Sequence, residues 1–225
     1  MKPRIAILAA LPREIEPLVR DWPVRISSQE QGTLVAENDR AIAVCAGMGP
    51  ARVRQAFATA EARGPLSAIL SIGYAGALRK SMARNTLHWP AKVLDAATGA
   101  AYDCAGGSGT LVTAAHVVGS AEKRELAARW DADLVDMEAA AVARLAQMRG
   151  LPFRTLKVVS DEAGDKLPDL NRFIDAHGRF REAAFAWHLA RHPWLLPTAV
   201  RLGRDANRAS ASMAQALSEE IARTD

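Results

Sequence analysis

Polar residues stand at four places where an apolar run ends or a helical pattern begins. These places are Glu14, the predicted turn Gly73–Gly76, the segment Asp136–Glu138 and the pair Ser160-Asp161. In parallel α/β sheets, ligands bind at the carboxyl ends of the strands. Carboxylates that converge on one such rim are costly to bury unless they serve a function, and perturbed acids of this kind cluster at active sites. The spacing therefore predicts a functional site built from these segments.

Each of these features also has a structural explanation when it is taken alone. An acid such as Glu14 or Glu138 is favourable at the start of a helix because of the helix dipole. Asp161 is able to cap the element that follows its strand, and Gly73 and Gly76 are residue types that turns require. The functional interpretation therefore depends on the fold bringing the carboxylates together.

The elements that must position these residues alternate between short β-like runs and helical periods. This pattern predicts an α/β fold with a central mixed, mostly parallel twisted sheet flanked by helices. Strands are predicted over residues 4–10, 32–37, 41–46, 66–72 and 153–159, with antiparallel or irregular strands within 85–115. Helices are predicted from Pro12, from Pro50, over 121–130 and from Met137 to the breaker Gly150. A catalytic domain is predicted over residues 1–190, followed by a helical, basic tail over residues 191–225.

The composition is that of an ordinary globular protein, with 225 residues, 49% of them hydrophobic and 24% charged, and a net charge of +4. The N-terminus lacks the long apolar stretch of a signal peptide, and no apolar run reaches the roughly 20 residues of a membrane-spanning helix. The two cysteines and five histidines show no metal-ligand spacing. The basic residues are dispersed and form no recognised nucleic-acid motif. These features predict a cytoplasmic protein that needs no metal or other cofactor and binds no nucleic acid.

Four motifs occur in an order and at a spacing that resemble a known group of enzymes. Val135–Ala141 is similar to the Val-Glu-Met-Glu-Ala signature of methylthioadenosine/S-adenosylhomocysteine nucleosidases and related phosphorylases. Val158–Ala163 resembles their Ser-Asp motif, Ser71–Gly76 their Gly-Ser-Ala-Gly turn, and Gly47–Gly49 their Gly-Ile-Gly turn. Over roughly residues 4–165, the chain is thus identified as a member of the purine and uridine phosphorylase superfamily. The resemblance implies the three-layer, nucleoside phosphorylase-like version of the α/β fold.

The resemblance also implies a site for a purine base. Asp161 corresponds to the acid that protonates purine N7, and Ser160 is its supporting neighbour. Such general acid catalysis typically contributes ~10²–10⁴-fold. Val118 is placed to contact the base through its backbone. Val117 stands where the family has an aromatic residue that stacks on adenine, which weakens the expected stacking.

The sugar and the nucleophile are assigned in the same way. Glu138 corresponds to the acceptor of hydrogen bonds from the 2′- and 3′-hydroxyls of ribose, and Met137 is expected to pack against the underside of the sugar. Glu14 matches the carboxylate that activates water, and Lys157 stands where nucleosidases usually carry an arginine. Gly73 and Tyr74 are also placed at the substrate.

Tyr74 is a departure from the family pattern, because it replaces a small residue of the turn and is large enough to block or reshape the sugar site. With Val117, it keeps open a second class of function, an inactive protein that binds nucleosides. The leading hypothesis is an N-ribosyl hydrolase acting on an adenine nucleoside such as methylthioadenosine or S-adenosylhomocysteine. Relatives imply a homodimer.

The nucleophile separates this hypothesis from phosphorolysis, in which phosphate would be a co-substrate. The segment Ala10–Glu14 is a poor match to the phosphate loop of phosphorylases, which favours water. The tail from Phe180 to Asp205 favours the alternative, because it resembles the C-terminal region of hopanoid-associated phosphorylases, which act on a lipid-linked adenosyl nucleoside. Its tryptophans and basic residues suit peripheral contact with an anionic membrane, or packing on the domain or on a dimer partner.

Overall fold

A computed structural model describes residues 2–28, 33–165, 169–175, 178, 180–192 and 196–223. The strands are β1 Arg4–Ala9, β2 Val24–Ser28, β3 Thr33–Glu37, β4 Ala41–Cys45, β5 Leu66–Ala77, β6 Leu87–His88, β7 Lys92–Asp95, β8 Ala101–Asp103, β9 Thr110–Thr113, β10 Leu134–Asp136 and β11 Phe153–Asp161. The helices are α1 Pro12–Val19, α2 Pro50–Glu61, α3 Ser120–Trp130, α4 Ala139–Arg149, α5 Glu182–Arg191 and α6 Leu196–Arg223, with a short 3₁₀ helix at Asn171–Phe173.

One mixed sheet of eleven strands runs through the described part of the chain, in the order β2-β3-β4-β1-β5-β10-β9-β7-β8, with β11 paired to β5 and β6 paired to β11. The strands β4, β1, β5 and β11 are parallel to one another, as are β10, β9 and β7. The long strand β5 joins the two groups, because β10 pairs with its last residues in the antiparallel sense. The predicted α/β fold with a mixed, mostly parallel sheet is confirmed.

The predicted turn at Gly73–Gly76 is wrong, because β5 continues through these residues to Ala77. Gly73 pairs with Lys157 of β11, and Gly76 pairs with Asp161 on one side and with Val135 of β10 on the other. The prediction treated the glycines as breakers, whereas pairing with two neighbouring strands keeps the segment extended. Glycine inside a strand also marks the close approach of other groups.

Several element boundaries differ from the predicted ones by a few residues. β1 ends at Ala9, and β11 continues to Asp161, so the Ser160-Asp161 pair closes the strand instead of following it. α4 begins at Ala139, which leaves Met137 ahead of the helix. The edge strand β2 has no counterpart among the predicted elements. Pro12 and Pro50 do open α1 and α2, where a missing N–H costs no hydrogen bond.

Helices cover both faces of the sheet. One apolar core contains side chains of α2 and α4, and a second core contains side chains of α1 and α6. α3 packs over a third cluster near β9 and β10. This layering leaves the ends of β1, β5, β10 and β11, with the segments that follow them, as the place where polar side chains meet.

The second half of α6 is part of the core beside α1. Met213 and Leu217 are fully buried there in the same cluster as Ile15 and Val19. The division of the chain at residue 190 stays a prediction, and the tail residues 193–195 lie outside the described residues. None of the helices that the structure describes is both long enough and apolar enough to span a bilayer.

If α6 is integral to the folded body, truncating its buried face destabilises the whole protein. Leu217→Ala should lower the free energy of unfolding by about 2–5 kcal/mol, as expected for a large-to-small change in a packed core. Ser212→Ala, at an exposed position on the same helix, is the matched control. Chemical denaturation measures both variants. A loss of less than about 0.5 kcal/mol for Leu217→Ala would show that α6 packs only loosely.

Candidate active site

Glu14 is the third residue of α1, the helix that follows β1, and only 3% of its surface is exposed. Its Oε2 accepts the backbone N–H groups of Ala10 at 2.9 Å and Leu11 at 2.8 Å, and its Oε1 accepts the N–H of Tyr74 at 3.3 Å. In the contact with Leu11, the side chain of Glu14 accepts the backbone N–H of the N-cap residue of its own helix. Glu14 therefore also stabilises the start of α1, which is the structural role that its position in the sequence suggests. Burial raises the pKa of Glu14, opposed by the Leu11 N–H and by the charge of Lys157.

Gly73 is the backbone surface on which the Glu14 carboxylate rests. A Cβ at this position would lie 2.8 Å from Glu14 Oε1 and 3.1 Å from Cδ, and the φ angle of +140° is one that other residues rarely adopt. The absence of a side chain at Gly73 therefore allows the Glu14 carboxylate to approach the backbone of β5, where it fills the space that a side chain would need.

Lys157 and Asp136 form an ion pair under this site. Lys157 Nζ lies 2.8 Å from Asp136 Oδ2, and the two side chains are 1% and 0% exposed. Asp136 also accepts hydrogen bonds from the Thr113 hydroxyl at 2.7 Å and from the Ala139 N–H at 2.9 Å. Burial lowers the pKa of Lys157, but the charges of Asp136, Glu138 and Glu14 outweigh burial and raise it. The lysine is thus held as a cation by three acids.

Glu138 completes this group of charges. It precedes α4 as the N-cap residue, and its Oε1 accepts the N–H of Gly49 at 3.0 Å. Burial raises its pKa to about 7, with the negative charges of Asp136 and Glu14 acting in the same direction and Lys157 opposing them. The structure therefore places Glu14, Glu138 and Lys157 close enough to act on one another's charges, while their roles toward a substrate stay predictions. Asp136 is the acid that links them.

Asp161 lies on the other side of Gly76 from β10 and is also buried. The Ser160 hydroxyl donates to its Oδ1 at 2.5 Å, and Ser160 Oγ lies 3.3 Å from the Ala75 carbonyl oxygen. Its Oδ2 is in a short ion pair with Lys123 Nζ, which also donates to the Glu162 carbonyl at 2.9 Å. Asp161 of the predicted Ser-Asp pair is thus paired with a buried lysine, Lys123, which the sequence analysis did not identify as a site residue.

The signal that would have found Lys123 is its helical spacing. Leu126, Ala127 and Trp130 of α3 pack against the apolar cluster near β9 and β10. Lys123 precedes them by three, four and seven residues and therefore lies on the same face of the helix. A lysine within an apolar stripe is rarely buried unless an acid pairs with it.

The segment assigned to the base is held by another residue that sequence reasoning missed. The side-chain amide of Asn171 accepts the Val117 N–H at 2.9 Å and donates to the Val117 carbonyl at 2.8 Å. Val118 is buried, and Met137 is partly buried. The contacts of these three apolar residues with a substrate stay predictions.

Tyr74 projects toward the C-terminal helix. Its hydroxyl lies 2.8 Å from Ser210 Oγ and 3.3 Å from the Ala206 carbonyl of α6, and the Arg13 guanidinium lies 5.4 Å from its ring centroid. The backbone N–H of Tyr74 contacts Glu14, while the ring packs in the α1–α6 core. The residue thus links the site to α6.

A cavity of 390 Å³ lies at the start of α2, lined by Met48–Arg52, Gln55 and Gly178. Gly49 connects it to the carboxylate group, since its N–H donates to Glu138. The described lining of this cavity does not include Asp161.

Comparison with known proteins gives one family match. Residues 107–189 match the model of the Phosphorylase superfamily. The resemblance to the phosphorylase superfamily is confirmed over these residues. The matched segment includes both the Asp136–Glu138 segment and the Ser160-Asp161 pair. No curated protein matches the chain.

Several solved structures superpose on most of the chain. An apo 5′-methylthioadenosine nucleosidase from Arabidopsis thaliana has a TM-score of 0.72 at 16% identity, covering 99% of this chain and 97% of its own. A Helicobacter pylori MTAN mutant with 5′-methylthioadenosine in its active site has a TM-score of 0.69 at 17% identity, covering 98% and 100%. The futalosine hydrolase of Helicobacter pylori has a TM-score of 0.61 at 20% identity, covering 72% and 88%. At these identities the likeness shows the fold.

The packing of Glu14 on Gly73 can be tested by adding one methyl group. Gly73→Ala should destabilise the protein by about 1–3 kcal/mol, because it combines an unfavourable φ with a clash against the carboxylate. Gly164→Ala is the matched control, since its added Cβ would meet no atom within 4 Å. Thermal or chemical unfolding measures both. Equal stability of the two variants would contradict the close approach.

The raised pKa of Glu138 predicts how stability changes with pH. Its pKa is 4.5 ordinarily and about 7 in the folded protein. The folded state therefore binds a proton more tightly than the unfolded state, and the protein loses stability as pH rises through this window. Glu138→Gln should remove that loss, so its stability relative to the wild type should increase from about pH 5 to about pH 8. Melting temperatures measure this trend, with the exposed Glu125→Gln as control. A constant difference across the range would contradict the assignment.

Proposed function

We propose that this protein cleaves the N-glycosidic bond of a purine nucleoside, with water as the nucleophile. The observation that carries the proposal is that the buried Glu14 and the half-buried Glu138 share the cation Lys157 with Asp136. Asp161 ends β11, the strand that also carries Lys157, and lies beside Gly76 of β5. Holding several acids together without water is costly, and active sites are where this cost is most often met.

Glu138 is proposed to bind the sugar. One of its oxygens accepts the Gly49 N–H, and the carboxylate has further lone pairs for the 2′- and 3′-hydroxyls of a ribose. An ionised acceptor makes stronger hydrogen bonds than a neutral one. Because the pKa of Glu138 is raised to about 7, its acceptor strength falls as pH decreases below neutrality. Met137 is proposed to pack against the same sugar.

Glu14 is proposed to activate the attacking water. Its Oε2 is occupied by two short hydrogen bonds, whereas Oε1 accepts only the longer one from Tyr74 among the described groups. Oε1 therefore has capacity to accept a proton from water. A raised pKa makes a carboxylate a better general base near neutral pH.

The base is proposed to bind between Asp161 and the Val117-Val118 segment. Protonation of purine N7 beside Asp161 withdraws electrons from the ring and makes the base a better leaving group. The C1′–N9 electron pair then leaves with the base, and water adds to the sugar. Ser160 supports the Asp161 carboxyl through its hydroxyl.

The substrate class proposed is an adenine nucleoside such as methylthioadenosine or S-adenosylhomocysteine. Support comes from the superfamily match of residues 107–189 and from the folds of nucleosidases that act on such compounds. The cytoplasmic location, the homodimer, the tail's contact with membranes and the domain division at residue 190 belong to the proposal as expectations.

The decisive experiment follows adenine release from methylthioadenosine, with and without phosphate. The proposal predicts release without phosphate and free sugar as the product. Glu14→Gln and Asp161→Asn should each lower kcat by ~10²–10⁴-fold, whereas the exposed Glu16→Gln should not. Strict dependence on phosphate, with sugar 1-phosphate as product, would favour phosphorolysis. Ligand-induced thermal stabilisation without base release would favour a nucleoside-binding protein.

A further inference from the structure

The buried pair of Lys123 and Asp161 bears on where the proton for the leaving base originates. Lys123 is 1% exposed, the only buried residue in the described helix α3, and its ammonium is directed at the carboxylate assigned to proton transfer. It contacts no other carboxylate in the hydrogen bonds of the described residues. Asp165, the nearby acid of the same loop, is paired with Arg84 through Nε at 3.1 Å.

Both oxygens of Asp161 face hydrogen-bond donors. Oδ2 accepts from the Lys123 ammonium, and Oδ1 accepts from the Ser160 hydroxyl. An ammonium only donates, so its partner oxygen acts as an acceptor. This environment suits an ionised carboxylate, and an ionised carboxylate has no proton of its own to give. A proton that Asp161 passes on has to be replaced, and the two groups already hydrogen-bonded to its oxygens are the nearest protein sources.

Of the two donors, an ammonium such as that of Lys123 is the stronger acid. An ammonium has an ordinary pKa of about 10.4, whereas a serine hydroxyl does not ionise in the physiological range. The Ser160 hydroxyl has another role, since it has one hydrogen and two acceptors within reach, Asp161 Oδ1 and the Ala75 carbonyl. When the carboxyl gains a proton, this hydroxyl is able to turn to Ala75, so both protonation states of Asp161 are satisfied.

Resting on the proposed function, we propose that Lys123 is the positioning residue that supplies, through Asp161, the proton taken by the leaving purine. One Nζ–H bond of Lys123 breaks as an O–H bond forms on Asp161, and the carboxyl in turn gives a proton to N7. The C1′–N9 electron pair goes to the base, and the carboxylate is restored. Lys123 is left as a neutral amine and regains a proton from solvent after the base departs, while the proton of the attacking water goes to Glu14.

The backbone at Gly76 and Glu162 accommodates the pair of Lys123 and Asp161. A Cβ on Gly76 would lie 3.0 Å from Asp161 Oδ2, 3.1 Å from Lys123 Cε and 3.2 Å from its Nζ. The glycine in β5 therefore leaves the space in which the two charged groups meet. The Glu162 carbonyl, which accepts from Nζ at 2.9 Å, fixes the direction of the ammonium.

The test compares two substrates that differ in whether the leaving group needs a proton. Methylthioadenosine releases adenine, which needs N7 protonation, whereas 4-nitrophenyl β-D-ribofuranoside releases a phenolate, which needs none. Lys123→Met should lower kcat for adenine release by ~10²-fold or more, and change nitrophenolate release by less than about threefold. The exposed Lys92→Met should leave both rates unchanged. The ratio of the two rates in one preparation does not depend on how much of the variant is folded.

Lys123→Arg separates proton supply from charge alone. Arginine keeps the positive charge beside Asp161 but does not release a proton in proteins, so the ratio of the two rates should stay as low as in Lys123→Met. Full recovery of adenine release by Lys123→Arg, or equal loss of both rates in Lys123→Met, would overturn the inference while the wild type still acts on nucleosides. A wild type that releases neither leaving group would overturn the proposed function, and this inference with it.

Discussion

The site depends on one buried cation, Lys157, that three acids share. Its ion pair with Asp136 is almost completely excluded from solvent, where an unpaired charge of either sign would be costly. Because Lys157 also acts on Glu14 and Glu138, removing it would leave several carboxylates uncompensated. The lysine thus makes it possible for the fold to keep these acids close together, and burial, together with the neighbouring negative charges, raises the pKa of Glu138 to about 7.

The sheet positions this group through the long strand β5. Its glycines allow side chains from neighbouring elements to approach the backbone, with Glu14 against Gly73 and the pair of Lys123 and Asp161 against Gly76. The two glycines that these polar groups face are three residues apart along the same extended strand. In the proposed reaction, one group acts on the sugar and the nucleophile and the other on the base, so the strand spacing sets the distance between the two tasks.

Much of the fold followed from local patterns in the sequence. Proline at the first turn of a helix, short apolar runs and the alternation of elements were enough to predict α1, α2 and the mixed sheet. The prediction of a turn at Gly73–Gly76 was wrong because it used only the local conformational preference of glycine. The role of these glycines is set by partners that are distant in sequence. Local rules cannot show that a carboxylate from another element occupies the place of a side chain.

The residues of the candidate site also fall into those that local sequence patterns identify and those that only tertiary contacts reveal. The acids Glu14 and Glu138 stood out because they follow predicted elements and match motif positions, and the structure brings them together. Lys123 and Asn171 lie outside those motifs. Their partners, Asp161 and Val117, are distant in sequence and are identified only by the three-dimensional structure. Polar residues that hold other polar residues leave a weaker sequence signal, since their spacing depends on tertiary contacts.

The most direct test of the central claim is a crystal structure of the protein with a methylthioadenosine analogue bound. The account predicts the 2′- and 3′-hydroxyls within about 2.6–3.0 Å of the Glu138 carboxylate, with N7 of the same ligand facing Asp161. A ligand that contacts only one of these two carboxylates, or that occupies the cavity at the start of α2 without touching either, would contradict the account.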